Sequence, residues 1–410
     1  MSSLESRDLS RGAAYCGLAV VTVLNFLNYI DRYILAAVLP RVQSELALTD
    51  FQAGLLAPAF LVVYFITSPV FGALGDRISR TRLMAIGVGA WSLATAATGM
   101  MRSFVQLLIA RSFVGIGEAA YATISPALLS DYFPRAQRGR AFAVFYVAIP
   151  VGAAAGYLLG GLIEPALGWR AAFYVVGLPG IAMALLALTA PDPARGSAEQ
   201  DDSPAEAQPV WMTLRGFSRK LAYSGTVLGY AAYTFGLGGL AFWMPKYLEQ
   251  VRGVELSRAN YLVGAVTVLA GLSGTFVGGY LGDRLAARMK QGQLWLCGIS
   301  GLAAIVPTWL TLSFASPGPY VLWFFVAEFL LFLSTGPVNV VIVSAVPVGA
   351  RAMAMAVSIF TIHLLGDAIS PPIIGLLADT AGLATAVLIV PVAIAISGLL
   401  WIITAAVAAE

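Results

Sequence analysis

The sequence predicts an all-α membrane protein of twelve transmembrane helices, arranged as two pseudo-symmetric halves of six with both termini cytoplasmic. Three observations predict it. Hydrophobic residues fill 59% of 410 positions and charged residues only 11%, where a soluble domain carries about 25% charged residues. Apolar stretches long enough to cross ~30 Å of hydrocarbon as a helix recur along the whole chain, and mean hydropathy is +0.83. The string GALGDR, starting at Gly72, returns as GYLGDR starting at Gly279, an offset of 207 residues. Parallel six-helix repeats of this kind mark one transporter architecture.

The segments follow in order. The first half, residues 1–190, holds helices expected at 13–39, 51–73, 83–101, 104–129, 139–163 and 170–190. The first apolar stretch is too long for a signal-peptide core and reads as a retained helix. Residues 191–219 include PDPARGSAEQDDSPAEAQP, rich in Pro, Ala and acid with no apolar face, and read as a cytoplasmic linker. The second half, 220–410, holds helices expected at 220–245, 258–281, 294–315, 319–345, 351–377 and 381–408. Adding the repeat offset to the start of segment 1 gives the start of segment 7.

Basic residues set the orientation. With the N-terminus inside, cytoplasmic stretches carry 16 of the 24 Lys and Arg, outer loops carry 6, and Arg32 and Arg111 lie in the membrane. Lys246 counts among the outer six. The positive-inside rule then puts both termini in the cytoplasm. The net charge of +3 gives no reason to expect a nucleic-acid partner. Cys16 and Cys297 are expected to form no disulfide.

Charges inside the segments carry the functional reading. Asp31, Glu118, Glu328 and Asp367 lie in stretches that must cross the bilayer, with Arg32 and Arg111 beside them. A charge at the bilayer centre costs at least ~2.5–3.5 kcal/mol, so such residues mark pathways and proton relays. Asp31 lies about 12 Å and Arg111 about 10 Å from the outer ends of their helices, at 1.5 Å per residue. Arg111 and Glu118 are two turns apart on one face, and Asn25, Asn28 and Arg32 form a stripe on segment 1. A hydrated cluster of Asp31, Arg32, Arg111 and Glu118 is expected, with Asp31 and Glu118 as proton-coupling groups. The competing reading is a static network that glues segments 1 and 4. It is the weaker one, because buried ion pairs are poor glue.

Segment 7 has Gly238 and Gly239 where the repeat would put mates of Asp31 and Arg32. It offers aromatic residues instead, including Tyr230 and Tyr233, which suit an amphipathic substrate or simply pack. His363 and Asp367, four apart on segment 11, read as a second proton site or as a structural pair. Glu328 is open in the same way.

The loop string runs from Gly72 through Asp76, Arg77, Arg80 and Arg82. Asp76 is expected against the positive end of a helix in the other half, while the arginines bind carboxylates or lipid phosphate. Asp283 and Arg284 mirror it. Such contacts would latch the cytoplasmic ends of the halves; the alternative is that the arginines only set topology.

The string from Gly72 to Arg82 resembles the loop motif of the major facilitator superfamily, and Arg111 to Glu118 resembles its segment-4 motif. NYIDRY (Asn28–Tyr33), WSLAT (Trp91–Thr95), GIGEAAY (Gly115–Tyr121), SPALLSDYFP (Ser125–Pro134) and YVAIPVGAAAGYLLGG (Tyr146–Gly161) resemble the Spinster family more narrowly. The likeness is dense in the first half and thin in the second. It implies the major facilitator fold, alternating access, and movement of lysolipid or sphingosine-1-phosphate-like substrates.

Other functions are excluded or unsupported. There is no nucleotide-binding G-x-x-x-x-G-K-[ST] loop and no G-x-S-x-G elbow. A single histidine and two distant cysteines offer no ordinary zinc site. The expectation is a secondary transporter, not an enzyme, with no cofactor. Its partners would be protons, a small amphipathic substrate and membrane lipids. It would work as a monomer in a bacterial-type inner membrane. Drugs or small organic anions are the alternative cargo, and an uncoupled lipid facilitator the alternative mode.

Overall fold

Helix follows helix, and among the described residues there is no strand. The structure is a computed structural model that describes residues 10–75, 77–194, 220–313, 317–346 and 351–408. Six helices precede the linker: α1 Arg11–Leu46, α2 Asp50–Gly75, α3 Arg80–Thr98, α4 Phe104–Tyr132, α5 Arg135–Leu167 and α6 Trp169–Ala187. After it come α7 Leu221–Gln250, α8 Leu256–Ala286, α9 Gly292–Ser313, α10 Pro317–Phe332, α11 Thr335–Ser344, α12 Arg351–Ile362, α13 Ser370–Ala381, α14 Leu383–Ala386 and α15 Ile389–Val407. A π-helical turn, His363–Asp367, separates α12 from α13.

Every expected segment is helical, but three are interrupted. Segment 10 is α10 plus α11, segment 11 is α12, the π-turn and α13, and segment 12 is α14 plus α15. α1 and α7 run on well past their expected ends at residues 39 and 245. Pro40 lies inside α1 and Pro245 inside α7. Both prolines are buried, so packing carries the helix past the lost hydrogen bond.

Among the described residues, eleven helical stretches are long and apolar enough to cross a membrane. α3 is not among them. It carries Ser92, Thr95 and Thr98, all buried, and it packs between α4 and α6. Elsewhere the molecule is inside-out relative to a soluble protein. Ile396, Leu399 and Ile403 of α15 are about half exposed on one stripe, and Phe276 of α8 is 74% exposed, as a lipid-facing surface requires.

Packing divides the chain into two compact units. One is Met1–Leu46 with Ala59–Ser203; the other is Ala47–Pro58 with Pro204–Glu410. The first turns of α2 therefore group with the second unit.

Two glycine-built seams fix the first unit. Gly152, Gly156 and Gly160 recur every four residues on α5. A Cβ at Gly156 would lie 2.9 Å from the Ile30 carbonyl oxygen, so α5 and α1 meet backbone to backbone next to Asp31. Gly115 and Gly117 of α4 face different neighbours. A Cβ at Gly115 would stand 2.2 Å from the Phe60 carbonyl of α2, and one at Gly117 2.4 Å from the Gly87 carbonyl of α3. Small residues give such close approach in membranes. Because its obstacles are backbone atoms, Gly117→Ala is expected to destabilise by about 1–3 kcal/mol. Gly279→Ala, with nothing within 4 Å of the new methyl, should melt at or above the wild-type temperature. Thermal unfolding in detergent, followed by tryptophan fluorescence, checks both.

Candidate functional site

The first unit buries a four-charge cluster. Asp31 on α1 is 1% exposed, Arg111 on α4 1%, and Glu118 on α4 0%. Arg32 Nη2 lies 2.7 Å from Glu118 Oε2, and Arg32 Nε donates to the same oxygen at 2.9 Å. Arg111 Nη1 stands 3.7 Å from Asp31 Oδ1, an ion pair too long for a good hydrogen bond. Asp31 is held instead by Thr95 of α3, whose hydroxyl donates to Oδ2 at 2.6 Å.

The four expected residues thus come together, with partners sorted by helix geometry. Asp31 and Arg32 are consecutive, so they project about 100° apart and cannot share a partner. Arg32 turns to Glu118 and Asp31 to Arg111. Phe60 of α2 lies against both guanidinium groups, 4.9 Å from Arg32 and 5.3 Å from Arg111, and Tyr29 sits 5.1 Å from Arg32. Glycine at 115 seats the Phe60 backbone there. Asn28 is buried beside the cluster on the α1 stripe. Thr95 and Phe60 are the residues that sequence reasoning missed. Thr95 lies inside the quoted WSLAT string, a polar position in a segment with no charge in its expected span.

This cluster is under-satisfied. Asp31 Oδ1, Arg111 Nε and Nη1, Glu118 Oε1 and Asn28 Nδ2 are buried without a hydrogen-bond partner among the described residues. An unmade hydrogen bond to a buried charged group costs about 1–3 kcal/mol or more. A network built only for stability would satisfy these atoms.

The second unit holds the other polar positions, and they form two groups. Glu328 of α10 is 3% exposed and hydrogen-bonds Thr267 of α8, while its Oε2 has no partner among the described residues. Tyr233 is buried, donates to the Leu331 carbonyl at 3.2 Å and packs 5.8 Å from the Tyr230 ring. His363 Nδ1 lies 2.9 Å from both Asp367 oxygens, about a quarter to a third exposed. That pair sits in the π-turn, where Gly366 leaves helical geometry at φ −115° and ψ −105°. The Thr234 hydroxyl donates to the Ile362 carbonyl at 2.9 Å and steadies the break. Gly238 supplies room: a Cβ there would meet Asp367 Cβ at 2.6 Å. At the repeat mate of Asp31, then, a glycine admits a carboxylate carried by another helix.

The loop string divides. Asp76 lies outside the described residues. Gly72 is half-buried and Arg77 is exposed. Arg80 is 5% exposed and engaged within its own unit. It pairs with Asp131 at the end of α4. Its Nε donates to Asp192 Oδ1 at 2.9 Å, and its Nη2 reaches the Pro193 carbonyl at 2.5 Å. Partial burial works to raise the Asp192 carboxyl, but hydrogen bonds from Arg80 and Ser79 outweigh it and hold the carboxyl below its ordinary value. Arg80 therefore straps the chain after α6 to the start of α3, and is not offered to lipid phosphate. Asp283 and Arg284 are exposed near the end of α8, with Arg284 Nη1 donating to the Tyr280 hydroxyl at 2.6 Å.

A carboxylate capping a helix start, expected of Asp76, is seen elsewhere. Asp379 of α13 accepts the backbone N–H of Asp50 at 2.7 Å and of Phe51 at 3.0 Å. These are the first residues of α2. Lys246 Nζ bonds the Asp50 carboxylate and is 3% exposed. Its expected place in an outer loop is corrected: α7 continues to Gln250 and buries it. A carboxylate at a helix N-terminus is worth about 0.3–2 kcal/mol. Asp379→Asn should therefore speed amide exchange at the start of α2 by about twofold to thirtyfold. Hydrogen-exchange mass spectrometry of the peptide covering residues 49–58 reads it, and unchanged exchange would show that the cap contributes nothing.

Long apolar helices around a buried, under-satisfied charge cluster define a helical membrane transporter, and similarity agrees. A family model described as Major Facilitator Superfamily matches residues 21–366. Protein spinster homolog 3 of Danio rerio is 31% identical over 396 residues, spanning 92% of this chain and 80% of that protein. The sphingosine-1-phosphate transporter SPNS2 of Danio rerio is 32% identical over 379 residues, 87% of this chain and 74% of that one. A solved bacterial homologue of the human lysosomal transporter Spinster, inward-facing and unoccupied, matches with a TM-score of 0.82 at 24% identity, covering 97% of this chain and 96% of its own. At that identity the likeness speaks for the fold alone. The chain belongs to the Major Facilitator Superfamily and, within it, to the spinster family. It is a multi-pass integral membrane transporter and not an enzyme.

Proposed function

We propose that the chain is a proton-coupled secondary transporter that works by alternating access. It moves an amphipathic, lipid-like substrate of lysolipid or sphingosine-1-phosphate type across the inner membrane, as a monomer with both termini in the cytoplasm. The observation that carries this reading is the loose Asp31–Arg111 pair, 3.7 Å apart and short of hydrogen bonds.

Deprotonated Asp31 holds Arg111. Protonation of Asp31 frees Arg111, whose planar fork then accepts an anionic head group such as a phosphate. Glu118 keeps Arg32 in place through the cycle and is the secondary proton site. In the second unit, Tyr230 and Tyr233 supply aromatic lining, and Glu328 and the partly exposed His363–Asp367 pair supply polar points. The strings at Gly72, Asp76, Arg77 and at Asp283, Arg284 act as cytoplasmic gating elements. The name of the SPNS2 relative supports a phosphorylated sphingoid substrate.

Uptake into proteoliposomes tests the reading, using labelled sphingosine-1-phosphate, lysophosphatidylcholine and a small organic acid. Transport of either lipid that responds to an imposed pH gradient is expected. Transport of the acid alone would replace the lipid assignment, and lipid flux indifferent to pH would make the protein an uncoupled facilitator.

A further inference from the structure

The first unit carries a second cavity, separate from the charge cluster, of about 330 Å³. It lies where α1 begins, α4 ends and α5 begins. Its floor is apolar and buried, with Leu18 of α1 at 6% exposure and Phe133 at 3%. Its rim is cationic: Arg11 comes from α1 and Arg140 from α5. Tyr15 lies one turn beyond Arg11, edge-on to Phe133 at 5.4 Å between ring centres. Gln137 lies one turn before Arg140.

The two rim arginines stand apart from those of the cluster. Arg32, Arg80 and Arg111 each have a carboxylate, whereas among the described residues neither Arg11 nor Arg140 has an ion-pair or hydrogen-bond partner and no acidic side chain lines the cavity. Two guanidinium groups from facing helices, with no counter-ion among the described residues, match the oxygens of a phosphate. An apolar floor beneath them matches the glyceride body and first methylenes attached to it. Basic pockets between transmembrane helices at a membrane face take anionic lipid head groups in this way.

We infer that this cavity binds the phosphate head group of an anionic phospholipid, with Arg11 and Arg140 on the phosphate and Leu18 and Phe133 under the glyceride. The site is independent of the transport reading, because it shares no residue with the Asp31 cluster.

Native mass spectrometry of the full chain in neutral detergent tests it. The probes are dihexanoyl phosphatidylglycerol, dihexanoyl phosphatidylcholine and inorganic phosphate. One phosphatidylglycerol should be retained per chain in preference to phosphatidylcholine. The double variant Arg11→Gln, Arg140→Gln should weaken that binding by about tenfold or more. Each single variant should weaken it less, and Arg102→Gln, far from this cavity in sequence, should leave it unchanged. All the variants replace exposed side chains, and equal melting temperatures confirm that they fold. Undiminished lipid binding in the double variant would overturn the inference. So would equal retention of phosphatidylcholine, or displacement of the lipid by inorganic phosphate at matching concentration, which would make this a site for free phosphate.

Discussion

Asp31→Asn is expected to abolish the proposed proton-driven transport while the protein still folds and still binds substrate. Asparagine has the shape of a protonated aspartic acid, and its oxygen can accept the Thr95 hydroxyl that now donates to Asp31 at 2.6 Å. Breaking a buried ion pair commonly costs about 3–5 kcal/mol. Here the loss is smaller, because the pair is long and Asp31 Oδ1 already lacks a hydrogen bond. The variant is thus fixed in the protonated form of the cycle. Burial and a neighbouring guanidinium act in opposite directions on a carboxyl group, so in the proposed cycle movement of Arg111 relative to Asp31 would load and unload the proton. Without a titrating group there, a pH gradient has nothing to act on. Accumulation of labelled substrate against a gradient should fall to the level of empty liposomes, with substrate binding within a few-fold of wild type. Retained pH-driven accumulation would remove Asp31 from the coupling role.

Arg111→Lys cripples transport although the charge is kept. Arg111 is 1% exposed and lies against Phe60 and Asp31 at once. A guanidinium can stack on a ring, hold a carboxylate and present further N–H groups to a phosphate; an ammonium on a flexible stem cannot do all three. Losing one charge-assisted hydrogen bond is worth about 1.5–3 kcal/mol, or roughly tenfold to a hundredfold in rate if it is made to the moving substrate. The initial rate of uptake should drop by that factor, with the melting temperature little changed. Wild-type kinetics would mean that Arg111 contributes only charge.

Depth along the helix was the legible part of the site. Counting residues from helix ends put Asp31 and Arg111 at similar levels, and the structure brings them together. The partner of Arg32 was less legible, because the sequence offers both Asp31 and Glu118. Helical phase decides it: consecutive residues diverge, and only Glu118 lies on the side that Arg32 faces. Thr95 was hidden because its helix carries no charge in its expected span, and one threonine does not betray a tertiary contact.

Two helix ends were set short. Pro40 and Pro245 both lie within helices, and because segment 7 was ended at residue 245, Lys246 was assigned to a loop when it is buried against Asp50. The π-turn at His363–Asp367 left only Gly366 as a trace in the sequence. Repeats were read at the strings GALGDR and GYLGDR. What they do not convey is that Gly238, the mate of Asp31, makes room for Asp367 from another helix. The loop arginines were read alike although their neighbours differ, since Asp131 and Asp192 meet Arg80 only once α3, α4 and the chain after α6 have folded.

The central claim is that proton movement and substrate movement share Asp31. It is tested most directly by recording internal pH in proteoliposomes while labelled sphingosine-1-phosphate or lysophosphatidylcholine is added, with no gradient imposed. The account predicts that substrate flux through the wild-type protein is accompanied by a change in internal pH, and that Asp31→Asn shows no such change. Substrate flux without any pH change in the wild type, or the same pH change in Asp31→Asn, would contradict it.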